Sequence, residues 1–190
     1  LSSSSAASDV YKRQAYAPGS VAMLIECLTD NRNRAVSDVR VAVTRNGATM
    51  ADGGSVQRLF ERKGVVTVSK TFEVTEGRKT TTHEVDEDQL MEATLEAEPE
   101  DIVDLGEAFE IICDPNAIVD VRKAIQAADI DYDSAEVEFR AGFAQPVELE
   151  DARKIAKITE LLEDLDDVQN VYTNADITPE LAAALEEDED

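Results

Sequence analysis

The sequence predicts an α+β fold made of two small domains, the second inserted into the first. Its length of 190 residues suits one ordinary domain or two small ones. Apolar residues make up 43% of the chain and charged residues 32%, which is typical of a folded protein. Short apolar runs alternate between strand-like and helix-like periods. Their order along the chain predicts one domain that is interrupted by another.

The two ends of the sequence lack this periodicity. The opening LSSSSAASDVYKRQ has no apolar period, and a well-patterned sequence begins directly after it. We therefore expect residues 1–14 to be a foreign or disordered segment outside the fold. At the other end residues 178–190 are expected to form an acidic tail, which should be solvated and frayed where Leu185 leads into a run of carboxylates.

The first patterned stretch reads as a strand, a helix and a hairpin. Residues 21–28 are a near-continuous apolar run of strand length, which is typical of a buried central strand. In residues 34–46 valines recur at three- and four-residue steps, which predicts a helix that ends at Gly47. Residues 56–68 then predict a hairpin with its turn at Gly64.

The second stretch continues the alternation of helices and strands. A helix at 86–97 is expected to turn Leu90, Met91, Thr94 and Leu95 to one side. The further predicted elements are strands at 102–105 and 108–113, a helix at 118–128, a strand at 135–140, a helix at 149–165 and a strand at 168–172.

The order of these elements is that of two ferredoxin-like units, each strand, helix, strand, strand, helix, strand, with a weak first strand in the second unit. We expect the first α/β domain to comprise residues 15–69 plus 147–177. The inserted domain is expected at residues 70–146.

Charge is distributed unevenly along the chain. Residues 15–72 contain 8 basic and 5 acidic residues, whereas residues 73–190 contain 8 basic and 36 acidic ones. Because like charges repel, a polyanion such as nucleic acid is expected to contact only the first part. The acidic part is expected to form a solvated surface that favours solubility. A sharper hypothesis is that this surface steers the polyanion to the basic part, or faces basic protein partners.

The sequence predicts a cytoplasmic protein. No apolar run approaches the roughly 20 residues of a membrane span, and the first residues lack the apolar stretch of a secretory signal. Cys27 and Cys113 lie far apart in apolar, strand-like runs, which indicates buried thiols rather than a disulfide or metal site.

The sequence predicts no catalytic constellation, metal or cofactor. Residues 129–133 alternate with aspartate as in a calcium loop, but Ser134 and Arg140 stand where that loop needs Gly and Glu. His83 is the only histidine, so a multi-histidine zinc site cannot form. Residues 53–55 lack the Lys-Ser/Thr of a phosphate-binding loop. An acyl-phosphate hydrolase stays a distant alternative that rests on fold analogy alone.

Five stretches, in order, resemble one protein family. They are ECLTDNRNRAVSDVR at 26–40, GSVQRLFERKGVV at 54–66, the pair MEATLEA and EDIVD, DSAEV at 133–137, and LEDLDDVQNVYTNADI at 162–177. Together they are similar to the YebC/PmpR family over about residues 16–177. The resemblance implies two α/β domains of a three-domain protein. The family's basic helical first domain has no counterpart here, and residues 75–85 form a polar insertion.

The resemblance implies a non-enzymatic regulator of gene expression. Bacterial members are described as DNA-binding transcriptional regulators, and relatives, including the mitochondrial translational activator, act in translation or with the ribosome. The implied partner is therefore DNA, or RNA and the ribosome, bound more weakly without the basic first domain. The alternative from another class is a protein-interaction or small-ligand-sensing module.

One set of polar and basic side chains could contact phosphates and bases, because guanidinium forks and amides suit both. Its members are Asn31, Arg32, Asn33, Arg34, Arg45, Arg58, Arg62 and Lys63. In the alternative interpretation Asn31 or Asn33 caps the helix, and the arginines pair with Asp30 and Asp38 on a solvated face.

Overall fold

The computed structural model describes residues 9–188, which divide into two compact units. Unit 1 comprises residues 9–61 and 140–188, and unit 2 comprises residues 62–139. The strands, in chain order, are β1 (Asp9–Ala17), β2 (Val21–Thr29), β3 (Thr49–Met50), β4 (Phe60–Ser69), β5 (Thr71–Glu76), β6 (Lys79–Glu84), β7 (Asp101–Asp104), β8 (Ala108–Cys113), β9 (Ser134–Ala141), β10 (Gln145–Pro146), β11 (Val168–Thr173) and β12 (Ala175–Asp176). The α-helices are α1 (Arg32–Thr44), α2 (Glu87–Thr94), α3 (Ile118–Ala127), α4 (Leu149–Glu163) and α5 (Pro179–Glu187).

Unit 1 is built on an antiparallel sheet in the order β11-β2-β1-β3. Alternate residues of β2 pack with α1 and α4, while Ala22 and Leu24 between them are buried as well. The backbone N–H groups of Val56 and Gln57 donate hydrogen bonds of 2.7 and 2.9 Å to the side-chain oxygen of Gln14 in β1. Burial on both faces explains the continuous apolar run, and the predicted central strand at 21–28 is confirmed.

The expectation that residues 1–14 lie outside the fold is wrong for residues 9–14. They belong to β1, which pairs with β2 from Asp9 opposite Thr29 to Ala17 opposite Val21. Strands pair through their main-chain N–H and C=O groups. A segment without proline can therefore pair with β2 even when its side chains show no apolar period. Residues 1–8 lie outside the described residues.

The predicted hairpin at 56–68 is also wrong, because β4 runs without interruption from Phe60 to Ser69. Gly64 lies inside this strand, opposite Cys113 of β8. A Cβ atom on Gly64 would lie 2.8 Å from the Cys113 Sγ, so the glycine permits close packing rather than a turn. Because β4 pairs with β8, the units divide at 61/62 and 139/140, where the sequence predicted 69/70 and 146/147.

Unit 2 is built on a sheet in the order β7-β8-β4-β9, with α2 and α3 packed against its core. The predicted helices at 86–97 and 118–128 are confirmed as α2 and α3, and the predicted strands as β7, β8 and β9. The polar stretch expected as an insertion forms the β5-β6 hairpin, which turns at Gly77 with a φ of +65°. The molecule is therefore an α+β protein with several antiparallel sheets.

The expected acidic tail is helical over most of its length. Thr178 caps α5 by accepting a hydrogen bond from the Leu181 N–H, and Pro179 occupies the first turn. Asp188 at the other end accepts hydrogen bonds from Arg153 of α4. The predicted acidic tail thus contains a helix over Pro179–Glu187, and residues 189–190 lie outside the described residues.

Both cysteines are buried, as the sequence predicted, and burial raises the pKa of each thiol. Between residues 9 and 188 no helix is long and apolar enough to cross a membrane. Over the same range no three carboxylate, thiol or imidazole side chains lie together in a way that could hold a metal ion.

Candidate nucleic-acid interface

The predicted set of basic and amide side chains is divided between the two units. Asn31, Arg32, Asn33, Arg34, Arg45 and Arg58 belong to unit 1, whereas Arg62 and Lys63 belong to unit 2. The residues on α1 and directly before and after it all belong to unit 1.

Asn31 caps the first turn of α1. Its backbone is extended, and its side-chain oxygen accepts a hydrogen bond of 3.1 Å from the Arg34 N–H. The Asn31 N–H in turn donates to the Thr29 hydroxyl at 2.9 Å. Asn33, two residues later, is exposed on the first turn. The geometry gives Asn31 the capping role of the alternative interpretation.

Arg34 is held by carboxylates. Its Nε and one terminal nitrogen donate to the two oxygens of Asp167 at 3.0 and 2.9 Å, and the terminal nitrogen also reaches Asp30 at 3.1 Å. Asp167 is only 8% exposed. Hydrogen bonds from Arg34 lower the pKa of Asp167, although burial acts in the opposite direction. A phosphate would have to compete with both carboxylates for this guanidinium.

Arg32 contacts a different part of unit 1. Its guanidinium carbon lies 5.2 Å from the centre of the Tyr11 ring in β1, within range of a cation-π interaction. Arg32 and Arg34 therefore reach β1 and the segment before β11, respectively. The TDNRNR stretch looks like one basic cluster in the sequence, but its two arginines serve separate contacts.

The opposite end of α1 presents a second group of cations. Arg45 and Asn46 line a cleft of about 320 Å³ between α1 and α4, together with Asp38, Val41, Ala42, Leu161 and Leu165. Asn46 also lines an adjacent cleft of about 510 Å³, with Pro18, Gly47, Lys154 and Lys157. Arg45 and the two lysines thus flank the C-terminal end of α1, where the helix dipole favours positive charge.

These cations differ in how far they are neutralised. Lys154 forms an ion pair of 3.3 Å with Glu150, one turn away on α4. Arg45 and Lys157 are exposed, and neither forms an ion pair within the part of the chain that the structure describes. Exposed and unpaired side chains of this kind can neutralise a phosphate without first losing a carboxylate partner.

Sequence reasoning missed Lys154 and Lys157. The charge count over residues 73–190 combined them with 36 acidic residues, which hid a local basic group. Their three-residue spacing on a predicted helix was the available signal, because it places both on one face. Nothing in the sequence indicated that this face would lie beside Arg45.

The remaining predicted side chains lie elsewhere. Arg58 donates through Nε to the Gly54 carbonyl at 3.1 Å in the segment before β4. Arg62 is exposed on β4. Lys63 binds both oxygens of Glu100, at 3.0 and 2.7 Å, within unit 2. Lys63 therefore already has an anionic partner.

The chain is similar to known proteins over most of its length. Residues 10–175 match the model of the TACO1/YebC second and third domain. The chain is 76% identical over 176 residues to a probable transcriptional regulatory protein of Cutibacterium acnes, covering 93% of this chain and 67% of that protein. A protein of the same description from Mycobacterium tuberculosis is 53% identical over 175 residues, covering 92% and 65%.

A solved structure shares the fold. The crystal structure of a conserved hypothetical protein from Aquifex aeolicus matches with a TM-score of 0.77 at 30% sequence identity, covering 92% of this chain and 68% of that one. The chain thus spans about two thirds of the length of these proteins.

Proposed function

This chain belongs to the TACO1/YebC family, and we propose that it is a non-enzymatic, cytoplasmic regulator of gene expression that works by contacting nucleic acid. The description of its relatives as probable transcriptional regulatory proteins supports a regulatory role. The chain corresponds to about two thirds of those relatives, so the proposal concerns what this part contributes.

The observation that carries the proposal is the group of cations at the C-terminal end of α1. Arg45, Lys154 and Lys157 line two adjacent clefts that share Asn46. Each cation that neutralises a duplex phosphate releases condensed counterions, so three contacts give a salt slope on the order of −2.7. A contact of this kind holds the backbone in register without reading bases.

The roles of the sequence-predicted side chains follow from their partners. We assign Arg45 to a phosphate contact, with the exposed Asn33 and Arg62 as further candidates. Asn31 and Arg34 instead hold the start of α1, and through it the orientation of the whole helix. Arg32, Arg58 and Lys63 have protein contacts that nucleic acid would have to replace or extend.

We further infer that unit 2 is a ferredoxin-like domain whose first strand is β4. Apart from the β5-β6 hairpin between β4 and α2, the element order β4, α2, β7, β8, α3, β9 and the sheet order β7-β8-β4-β9 support this classification. The fold is compatible with many activities, so it supports no particular one.

The test compares three polyanionic probes: labelled duplex DNA, single-stranded RNA and purified ribosomes. We expect the chain to bind duplex DNA with an affinity that falls steeply as salt rises, because the contacts are to phosphates. Preference for RNA or ribosomes at equal salt would move the role from transcription to translation. Binding that does not respond to salt, or the absence of binding to all three probes, would contradict a nucleic-acid contact.

A further inference from the structure

One face of α2 in unit 2 leaves large apolar side chains in water. Met91 is 53% exposed and Leu95, one turn later, is 73% exposed. The sequence predicted that both lie on one side of the helix with Leu90 and Thr94, but only Leu90 and Thr94 are buried. Leu95 begins the short 3-10 turn (Leu95–Ala97) that continues α2, and residues four apart are neighbours on a helix surface, so Met91 and Leu95 lie next to each other in an apolar row.

A row of carboxylates runs beside this apolar row. Asp88, Glu92 and Glu96 follow one another at four-residue steps and are all exposed. Like charges at this spacing destabilise a helix. No ion pair to any of the three is found within residues 9–188, and residues 86–101 contain no lysine or arginine. The repulsion along this row is therefore not relieved inside the described chain.

The surface is nevertheless held in a fixed geometry. Asp86 accepts a hydrogen bond of 2.8 Å from the Gln89 N–H, and the Gln89 side chain accepts one of 2.9 Å from the Asp86 N–H. This capping box fixes the start of α2, and buried Leu90 and Thr94 attach the helix to the core. A helix face that is rigid before binding loses little conformational entropy when a partner docks.

We propose that the α2 face, formed by Asp88, Met91 and Glu92 of α2 with Leu95 and Glu96 of the turn that continues it, docks a cationic amphipathic segment of a partner protein. Apolar side chains of that segment would cover Met91 and Leu95, and its lysines or arginines would neutralise the carboxylate row. Charge complementarity selects this occupant: unit 2 contains 7 basic and 21 acidic residues. Nucleic acid, an anionic lipid surface and a second copy of this chain are all repelled.

This docking surface goes beyond the proposed contact with nucleic acid. The cations assigned to that contact belong to unit 1, whereas every residue of the α2 face belongs to unit 2. The effect of substitutions on one surface can therefore be measured without altering the other surface. The proposal gives the acidic part of the chain a specific recognition role in addition to solubility.

The test measures binding to the full chain of a fluorescein-labelled helical peptide in which leucines recur at three- and four-residue steps on one face and lysines occupy the other positions. One variant replaces Met91→Ser and Leu95→Ser, and a second replaces Asp88→Asn, Glu92→Gln and Glu96→Gln. The matched control replaces Glu73→Gln, Glu76→Gln and Glu84→Gln, which are exposed carboxylates of the β5-β6 hairpin. This control changes the net charge by the same amount as the charge variant of α2.

We expect each α2 variant to weaken peptide binding by about tenfold or more, because the first loses burial of the Met and Leu side chains and the second loses pairing of the carboxylate row. The control should change affinity by about twofold or less. The charge variant should keep a melting temperature close to that of the parent, because relief of the repulsion is offset by loss of the favourable Asp88 charge in the first turn of α2. Reduced binding by a protein of unchanged stability distinguishes recognition from unfolding.

Three results would overturn the proposal. One is unchanged binding by the Met91→Ser, Leu95→Ser variant. Another is an equal loss of affinity in the hairpin control, which would mean that diffuse negative charge holds the peptide. The third is equally tight binding of a peptide in which serine replaces every leucine, because that peptide presents the same charge without the apolar side chains.

Discussion

Asn31 and Asn33 look equivalent in the sequence, yet only Asn31 accepts a hydrogen bond from the first turn of α1. We expect Asn31→Ala to lower the free energy of unfolding by about 1 kcal/mol, the usual effect of removing a helix cap. Asn33→Ala, at an exposed position of the same turn, should change it by about 0.5 kcal/mol or less. Urea denaturation of both variants measures the difference.

The same pair of variants separates a structural role from a binding role. If Asn31 acts as a cap, Asn31→Ala should retain DNA affinity under conditions where the protein stays folded. A variant of unchanged stability that loses DNA affinity would instead assign Asn31 to the interface.

The contact between Arg34 and Asp167 makes stability depend on pH. The pKa of Asp167 is lower in the folded state than the usual value of about 3.9, so the unfolded state binds the proton more readily. The contribution of this carboxylate is therefore present above about pH 4 and is lost as the pH falls through its folded pKa.

Comparison with Asp167→Asn isolates this contribution from those of the other carboxylates. The stability difference between the parent and the variant should be largest near pH 7 and shrink below about pH 4, as followed by urea midpoints at each pH. A difference that is constant between pH 7 and pH 3 would show that Asp167 contributes no charge-dependent stability.

The sequence could not predict these roles in full. It raised both functions for Asn31, because a cap and a nucleic-acid contact require the same amide. For Arg34 it proposed pairing with Asp30 but not with Asp167, which lies 133 residues away and is brought close only by β11 pairing beside β2. Long-range partners of this kind have no local signal.

At the scale of elements, Gly64 provides the clearest test. A Cβ atom there would lie 2.8 Å from the Cys113 Sγ and 3.1 Å from the Ile118 Cβ, both packed inside unit 2. We expect Gly64→Ala to lower the free energy of unfolding by about 2 kcal/mol, within the range found for overpacked cores. Thermal and urea denaturation measure this loss.

Gly53→Ala is the matched control, because nothing lies within 4 Å of a Cβ atom at that position. It should leave stability within about 0.5 kcal/mol of the parent. If Gly64→Ala were equally neutral, the glycine would not be required for the approach of β4 to β8.

Elements whose apolar residues repeat at a regular spacing could be predicted from the sequence, and elements without such a repeat could not. β2, α1, α3 and α4 were predicted because their apolar residues repeat at strand or helix spacing. β1 was missed because main-chain pairing requires no such period. β4 was divided in two because glycine commonly marks a turn, whereas this glycine serves close packing. Met91 and Leu95 were assigned to the same side of the helix as Leu90 and Thr94, because hydrophobicity alone does not reveal which helix row is covered.

At the scale of the whole molecule, the net charge of −24 conceals two local surfaces of opposite character. The sequence predicted that a nucleic-acid contact must be local and basic, and it included Arg45. It could not predict that α4 would bring Lys154 and Lys157 to the same end of α1, because tertiary packing alone creates that neighbourhood. The proposed contact therefore rests on one predicted side chain and two that only the fold reveals.

The measurement that tests this account most directly is duplex DNA binding across a salt series by an Arg45→Gln, Lys154→Gln, Lys157→Gln variant. Its control is Arg78→Gln, Lys79→Gln, Lys123→Gln, which removes the same charge from exposed positions of unit 2. The account predicts that the unit 1 variant loses about tenfold or more in affinity and has a salt slope shallower by about two to three, while the control stays close to the parent. Equal losses in both variants, or an unchanged slope in the unit 1 variant, would contradict it.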